Sequence, residues 1–372
     1  MTTYSFYIIQ EIVKNINKRQ NVYLYPAGQN TKILLDILYY IGKGDYIQII
    51  DKENKEINGK STISVDTMAN DNNSIVYITS PKYEKELVNT LKTSGYLGEI
   101  ANTFCNQINP NCKEDNIYIE RMDLVLTTRC SLRCEKCANL MQYYHNPSDV
   151  DEDVIYNSMN NLINVVDSIN AVYVLGGEPL LYSKLKNIIC YLKKQDKIKK
   201  VIVVTNGTLC PDDIDLWEEF SCFKVVLHIS DYTILSRNKD NIIKKCFEHA
   251  VNCEIEENKI FYDTGNMKKR NRTDDELQNV FIRCNTKCRS LFNGEFHFCP
   301  RSSHGVDLGL VERRKEDYVD LMTNRDTLRN ELFEFLNRDN YIEACDYCDI
   351  RLPGYYEKEY PAAVQAKNVL TV

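Results

Sequence analysis

No apolar run in the 372-residue chain is long enough to cross a bilayer, so no membrane-spanning role is expected. Nor is there an excess of basic charge. The 46 Lys and Arg against 53 Asp and Glu give a formal net charge of −7, which argues against a general binder of nucleic-acid backbone. The first twenty residues lack the short basic region, apolar core and small-residue cleavage site of a secretory leader. They read instead as an amphipathic helix with Tyr7, Ile8, Ile12 and Ile16 on one face. What the chain has in quantity is cysteine. Fifteen thiols without such a leader predict a reducing, cytoplasmic setting, with thiols kept for clusters. The length allows two or three domains.

Three of those thiols form a C-x3-C-x2-C array, Cys130, Cys134 and Cys137, within LVLTTRCSLRCEKCANLM (124–141). The alternating apolar run Leu124-Val125-Leu126 places the array on a loop leaving a strand. Soft thiolates at this spacing suit iron–sulfur or zinc. A structural zinc site wants four ligands, usually as two C-x2-C pairs. A disulfide framework wants an even count and an oxidising compartment. Three thiolates are one too few to close a four-iron cluster, which leaves one iron open. About forty residues on, the buried strand Ala171–Leu175 ends in Gly176-Gly177-Glu178-Pro179. Glycines there let the backbone approach a ligand, and free carbonyls accept from an ammonium.

Together, in this order, the two motifs resemble the radical SAM superfamily. The resemblance implies a [4Fe-4S] cluster on Cys130, Cys134 and Cys137 whose open iron is chelated by S-adenosylmethionine. It implies reductive cleavage of that cofactor to a 5′-deoxyadenosyl radical, and hydrogen abstraction from a substrate. An electron donor such as flavodoxin or ferredoxin follows from the same resemblance. So does a cofactor-amino contact at Gly176, Gly177 and Glu178.

The fold expected is α/β throughout. Residues 1–97 read as a Rossmann-like α/β domain, with strands at 21–25, 46–50 and 74–79 and helices between them. Asp51 falls where a ribose-binding acid would lie. The glycine fingerprint is broken, however: Pro26 and Thr31 occupy its outer positions and only Gly28 remains. A structural or docking domain without NAD is expected. Residues 98–120, polar and carrying Cys105 and Cys112, read as a linker. Residues 121–280 alternate strand and helix, and the resemblance makes them a partial (β/α)6 radical SAM barrel. Ser148-x-x-Asp151 reads as the start of its first helix. Function in such barrels gathers at the carboxyl ends of strands. Thr205 and Asn206 of the TNG turn and Ser230 are therefore candidate cofactor contacts. Asp231 and Tyr232 are candidate catalytic groups facing substrate or cofactor. Plain turn chemistry is the competing account of each.

Beyond residue 280, Cys288, Cys299, Cys345 and Cys348 make C-x5-G-x4-C and a distant C-x2-C, with Gly294 at an expected hairpin turn. The set resembles the twitch domain, the shorter relative of the SPASM domain, over residues 281–350. The resemblance implies a second, auxiliary [4Fe-4S] cluster; a zinc ribbon is the alternative. Cys284 is unassigned and could replace Cys288. His297 and His304 flank Cys299 and are expected to pack and hydrogen-bond. Tyr143-Tyr144-His145 is expected to cover the first cluster, 261–265 to form a substrate loop, and the 268–272 basic run to be a solvated face or a phosphate site. The 351–372 tail contains Ala362-Ala363-Val364-Gln365, for which residue chemistry suggests no role. The expected whole is an oxidoreductase or epimerase acting on a small molecule, a sugar or nucleotide-linked sugar from a surface-polysaccharide or natural-product pathway. A peptide-modifying enzyme and a zinc-binding scaffold are the rivals.

Overall fold

The computed structural model describes residues 2–53, 55–68, 71–80, 83–102, 116–284 and 288–370. The chain divides into two compact units. The first holds Met1–Ile108, Trp217–Leu227 and Ile243–Ile255; the second holds Asn109–Leu216, His228–Ile242 and Glu256–Val372.

The first unit begins with β1 (Thr2–Ser5), α1 (Phe6–Asn17), β2 (Asn21–Tyr25), α2 (Gln29–Tyr40) and β3 (Ile47–Ile49). The short pair β4 (Glu56–Ile57) and β5 (Lys60–Ser61) follows, then β6 (Ser74–Ile78), α3 (Glu84–Thr93) and β7 (Glu99–Asn102). Four of these strands make a parallel sheet in the order β3-β2-β6-β7. Parallel strands are buried on both faces, and β6 is buried at all five positions. Its core gathers Tyr23, Tyr25, Ile50, Val76, Ile78, Leu87 and Leu91. α1 buries Ile9, Ile12 and Ile16, the stripe the 3.6-residue period requires. β7 occupies part of the stretch that reads as a linker, because Glu99–Asn102 completes the sheet beside β6. Cys105 and Cys112 lie outside the described residues.

The turn after β2 is filled by side chains rather than left open. Thr31 is fully buried and its Oγ1 lies 2.7 Å from Thr79 Oγ1. The Asp51 carboxylate accepts from the Ala27 and Glu53 N–H groups, at 2.9 and 3.0 Å. Asp51 thus closes the turn that carries Gly28.

The chain continues through β8 (Tyr118–Thr127), α4 (Glu152–Val165), β9 (Ser168–Gly176), α5 (Leu185–Lys193), β10 (Ile198–Thr205), α6 (Ile214–Phe220), β11 (Val225–Asp231), α7 (Lys239–Glu248) and β12 (Asn252–Glu257). Next come β13 (Ile260–Tyr262), α8 (Asp274–Arg283), β14 (Arg289–Phe292), β15 (Glu295–His297), α9 (Pro300–Asp307), β16 (Tyr318–Asp320), α10 (Leu328–Leu336) and β17 (Glu359–Pro361). Within the first unit, β12 pairs antiparallel with β1, Tyr4 opposite Cys253.

In the second unit, β8, β9 and β10 are parallel neighbours. On the other side of β8 lies β14, also parallel, with Leu291 opposite Leu124. β15 and β16 then add antiparallel. The hairpin joining β14 to β15 turns on Asn293-Gly294, both at positive φ (49° and 83°), as a two-residue hairpin requires. The second cysteine segment therefore shares a sheet with the strand that carries the first.

One local reading changes. α4 is capped by Asp151 itself, whose carboxylate accepts from the Asp153 N–H at 2.8 Å. Ser148 instead serves the cysteine loop: its carbonyl accepts from the Thr128 N–H and its own N–H donates to Thr128 Oγ1, both at 2.8 Å. On α7, Ile242 and Cys246 are buried while Phe247 is exposed.

Candidate functional site

The cysteine loop leaves β8 at a register shift between Val125 and Thr127, a bulge of the kind that re-aims a strand end. Two backbone bonds fasten it to the end of β9: Gly177 N–H to the Thr127 carbonyl (2.8 Å) and Glu178 N–H to the Arg129 carbonyl (2.9 Å). That closeness explains the glycines. A Cβ on Gly176, at φ +150°, would lie 2.1 Å from the Thr127 oxygen, and one on Gly177 2.2 Å from the Arg129 oxygen. Arg129 also holds Asp149 through two bonds, at 2.9 and 2.7 Å.

Burial pushes all three thiols up, Cys130 and Cys134 to about 12. The charge of Cys137 adds to the shift of both, so the three stand within electrostatic reach of one another. Each has its own donors. Cys137 accepts from the backbone N–H groups of Met141, Asn139 and Leu140. Cys130 accepts from the Leu132 N–H (3.4 Å) and Asn206 Nδ2 (3.7 Å). Cys134 accepts from Gln365 Nε2 (3.5 Å), far away in the chain.

A cavity of about 380 Å³ opens beside these thiols, within the size range of small-molecule sites. Cys130, Cys134, Cys137, Gly176, Gly177, Thr205, Asn206, Ser230 and Tyr232 all line it. Burial, then the charges of Cys137 and Cys134, push the Tyr232 phenol up. The far wall is Phe261, Tyr262, Thr264, Ile350 and Tyr355, so the 261–265 loop and the stretch after Cys348 both reach the cavity. Tyr262 packs against Tyr355 and Tyr356 at centroid distances of 5.5 and 5.3 Å. Lys136, also on the wall, pairs with Asp263 at 2.6 Å. Burial opposes its charge, and Asp263 keeps its pKa above the ordinary value.

Of the residues predicted around the first cluster, Glu178 and Asp231 do not line the cavity. Glu178 is fully buried, and its carboxylate accepts from the Leu180 N–H (3.1 Å) and the Asn206 N–H (2.8 Å). It ties the end of β9 to the end of β10, and burial raises it to about 7. Asp231 accepts from the Thr233 N–H (2.8 Å) and Lys239 Nζ (2.7 Å) and is 6% exposed. Its neighbour Tyr232 carries the only cavity contact of that pair.

In the second cysteine set, burial and then the charges of Cys284, Cys345 and Cys348 push the Cys299 thiol up. Cys345 feels Cys348 and Cys284, and Cys348 feels Cys284. The largest charge neighbours of Cys288 are instead Arg121 and Asp123 of β8. Cys284 is also a charge neighbour of Cys288, so both thiols stand close to this set. Arg270 and Arg272 of the basic run brace this segment. Arg270 and Arg272 each reach Asp349 at 2.7 Å, and Arg272 Nη1 donates to the carbonyls of Cys345 (2.9 Å) and Cys348 (3.0 Å). His297 lies between Ser302 Oγ (3.0 Å) and Glu295 Oε2 (3.2 Å). His304 is fully buried with Nδ1 2.9 Å from the Tyr144 hydroxyl, which also donates to Asp307. Among the described residues, no three His, Cys, Asp or Glu side chains converge as a single-ion site would need.

Residues 124–252 match the family model described as Radical SAM superfamily. The chain carries a radical SAM superfamily domain. Curated relatives include GTP 3′,8-cyclase of Clostridium acetobutylicum, 32% identical over 94 residues, covering 25% of this chain and 29% of the relative. GTP 3′,8-cyclase of Actinobacillus pleuropneumoniae serotype 3 is 30% identical over 98 residues, covering 26% and 28%. The match thus spans under a third of each relative's length. Partial similarity extends to solved structures. BtrN in complex with AdoMet and 2-DOIA covers 66% of this chain and 100% of that one (TM-score 0.40, 11% identity). Native anSMEcpe with bound AdoMet covers 61% and 82% (TM-score 0.41, 12% identity).

Proposed function

We propose that the protein is a radical SAM enzyme acting on a small molecule, a sugar or nucleotide-linked sugar, with a second cluster beside the substrate. The observation that carries this is a coincidence of place. The three thiols, both glycines, the TNG turn and Tyr232 line one cavity, together with an aromatic wall. When bound, a [4Fe-4S] cluster and S-adenosylmethionine supply the electron and the 5′-deoxyadenosyl radical that takes hydrogen from substrate.

The chain's own groups do the rest. Cys130, Cys134 and Cys137 hold the cluster, with one coordination position left for the cofactor. Gly176, Gly177, Thr205, Asn206 and Ser230 hold the cofactor, chiefly through backbone at the glycines. Phe261, Tyr262 and Tyr355 exclude water and offer flat apolar faces to a ring. Tyr232, a phenol that is protonated at physiological pH even at the ordinary tyrosine pKa of about 10, orients substrate as a hydrogen-bond donor. Cys284, Cys299, Cys345 and Cys348 hold the second cluster, an electron acceptor that favours oxidation of an alcohol over epimerisation. Flavodoxin or ferredoxin is the expected electron donor. The parallel sheet of the first unit supports a small-molecule enzyme over a peptide-modifying one.

The test is S-adenosylmethionine cleavage by anaerobic, reconstituted protein. Replacing Cys130, Cys134 or Cys137 with Ala should abolish 5′-deoxyadenosine formation. Undiminished formation in all three variants would overturn the assignment.

A further inference from the structure

We propose that Gln365 is a positioning residue for the first cluster: its side-chain amide donates to the Cys134 thiolate and sets the ease of cluster reduction. This deepens the reading above and rests on it. The carboxyl-terminal tail would then be part of the redox site.

The orientation of the amide follows from its neighbours. Gln365 Oε1 faces the Arg133 backbone N–H at 2.7 Å, a group that can only donate. Gln365 Nε2 faces the Ala363 carbonyl at 2.6 Å, a group that can only accept. The second N–H of the same nitrogen is left for Cys134 Sγ, 3.5 Å away. A flipped amide would set donor against donor at Arg133 and acceptor against acceptor at Ala363.

The backbone around Gln365 holds the amide there. The Glu135 N–H donates to the Val364 carbonyl (2.8 Å), and the Ala366 N–H to the Arg133 carbonyl (2.7 Å). Cys134 and Gln365 thereby form an antiparallel bridge. Upstream, β17 pairs with β13, Phe261 opposite Tyr360, which ties the strap to the cavity wall. Downstream, the Leu370 N–H donates to the Gln142 carbonyl (2.9 Å). Ala363 is buried and held at φ 56°, a conformation an alanine rarely adopts without support from its surroundings.

The three thiols differ in who supports them. Cys137 is served by its own loop, and Cys130 by its loop and Asn206. Cys134 takes its side-chain donor from 231 residues away. A donor on a ligating sulfur withdraws electron density, so it favours the reduced, more negative cluster. Removing the donor makes reduction harder.

The experiment is a dye-mediated redox titration of the full chain, reconstituted anaerobically with iron and sulfide. It is followed by the electron paramagnetic resonance signal that changes on adding S-adenosylmethionine. Gln365→Glu keeps the length and the acceptor for Arg133 but replaces the donor with oxygen. It should make reduction about tenfold less favourable, about 59 mV lower for one electron, at unchanged iron content. Gln365→Ala should shift the potential the same way by less. Val364→Ala, on an exposed neighbour, should not shift it. If both Gln365 variants hold wild-type iron with wild-type potential, the proposal fails. If both lose the responsive signal, Gln365 holds the loop rather than tuning the cluster, and the proposal fails as well. If the wild-type protein has no responsive signal, the parent reading fails; an unshifted variant beside a responsive wild type refutes Gln365 alone.

Discussion

Glu178 has no exposed surface, and its carboxylate takes two backbone N–H groups and the Thr205 hydroxyl. Burial outweighs these bonds and raises it from 4.5 to about 7. The folded chain then holds its proton more tightly than the unfolded chain does. Stability is full below pH 4.5, declines as the pH rises through the window to about 7, and is flat above that. Gln cannot ionise, so Glu178→Gln should gain stability relative to wild type across that window, against a constant cost for the mispaired Asn206 N–H. Thermal melts of both proteins at pH 5, 6, 7 and 8 check this. A difference that does not change with pH would mean the carboxyl group is not raised. The sequence marked Glu178 by its motif but not by its task, because bonds to Leu180 and Asn206 depend on where β10 ends. Asp231 was legible as a polar strand end in the same way, and the partner that claims it, Lys239, lies one helix start further on. Gln365 could not be read at all: no local pattern signals a contact made across most of the chain.

At the scale of elements, local chemistry was a good guide. The Asn293-Gly294 hairpin, the strand after Gln20 and the apolar stripe of α5 follow from turn propensity and periodicity. Which thiol of two completes a cluster does not follow from either, since Cys284 and Cys288 are both plausible by spacing. Cys288 feels Arg121 and Asp123 ahead of Cys284, whereas Cys299, Cys345 and Cys348 each feel Cys284. Cys284→Ala should therefore lose about four of about eight irons per chain, while Cys288→Ala keeps them. Iron and acid-labile sulfide analysis decides it, and equal losses would return the ligand role to both. A folded Cys345→Ala, Cys348→Ala double variant should still form 5′-deoxyadenosine when chemically reduced but give less product per cofactor cleaved. Retention of the wild-type ratio would make the second set structural.

For the whole molecule, the first unit has a parallel sheet suited to nucleotides without an open phosphate turn. Thr31 fills the space and Asp51 is bound to Ala27 and Glu53. Titration of NAD or NADP into the full chain should show no micromolar binding, a threshold of about −8 kcal/mol. Heat consistent with that affinity would place Gly28 and Asp51 in a cofactor site. The second unit raises a different point. β14 comes from beyond residue 280 yet lies directly against β8, the strand that delivers the first cysteine loop. A fragment cut between α8 and β14 would strip one side of β8 of its hydrogen-bonding partner. The exposed row of amides, flanked by Met122, Leu124 and Leu126, would be a template for adding strands from other molecules. The two cysteine regions are thus inseparable for a reason unrelated to electrons: a chain shortened to its first metal site would be expected to precipitate.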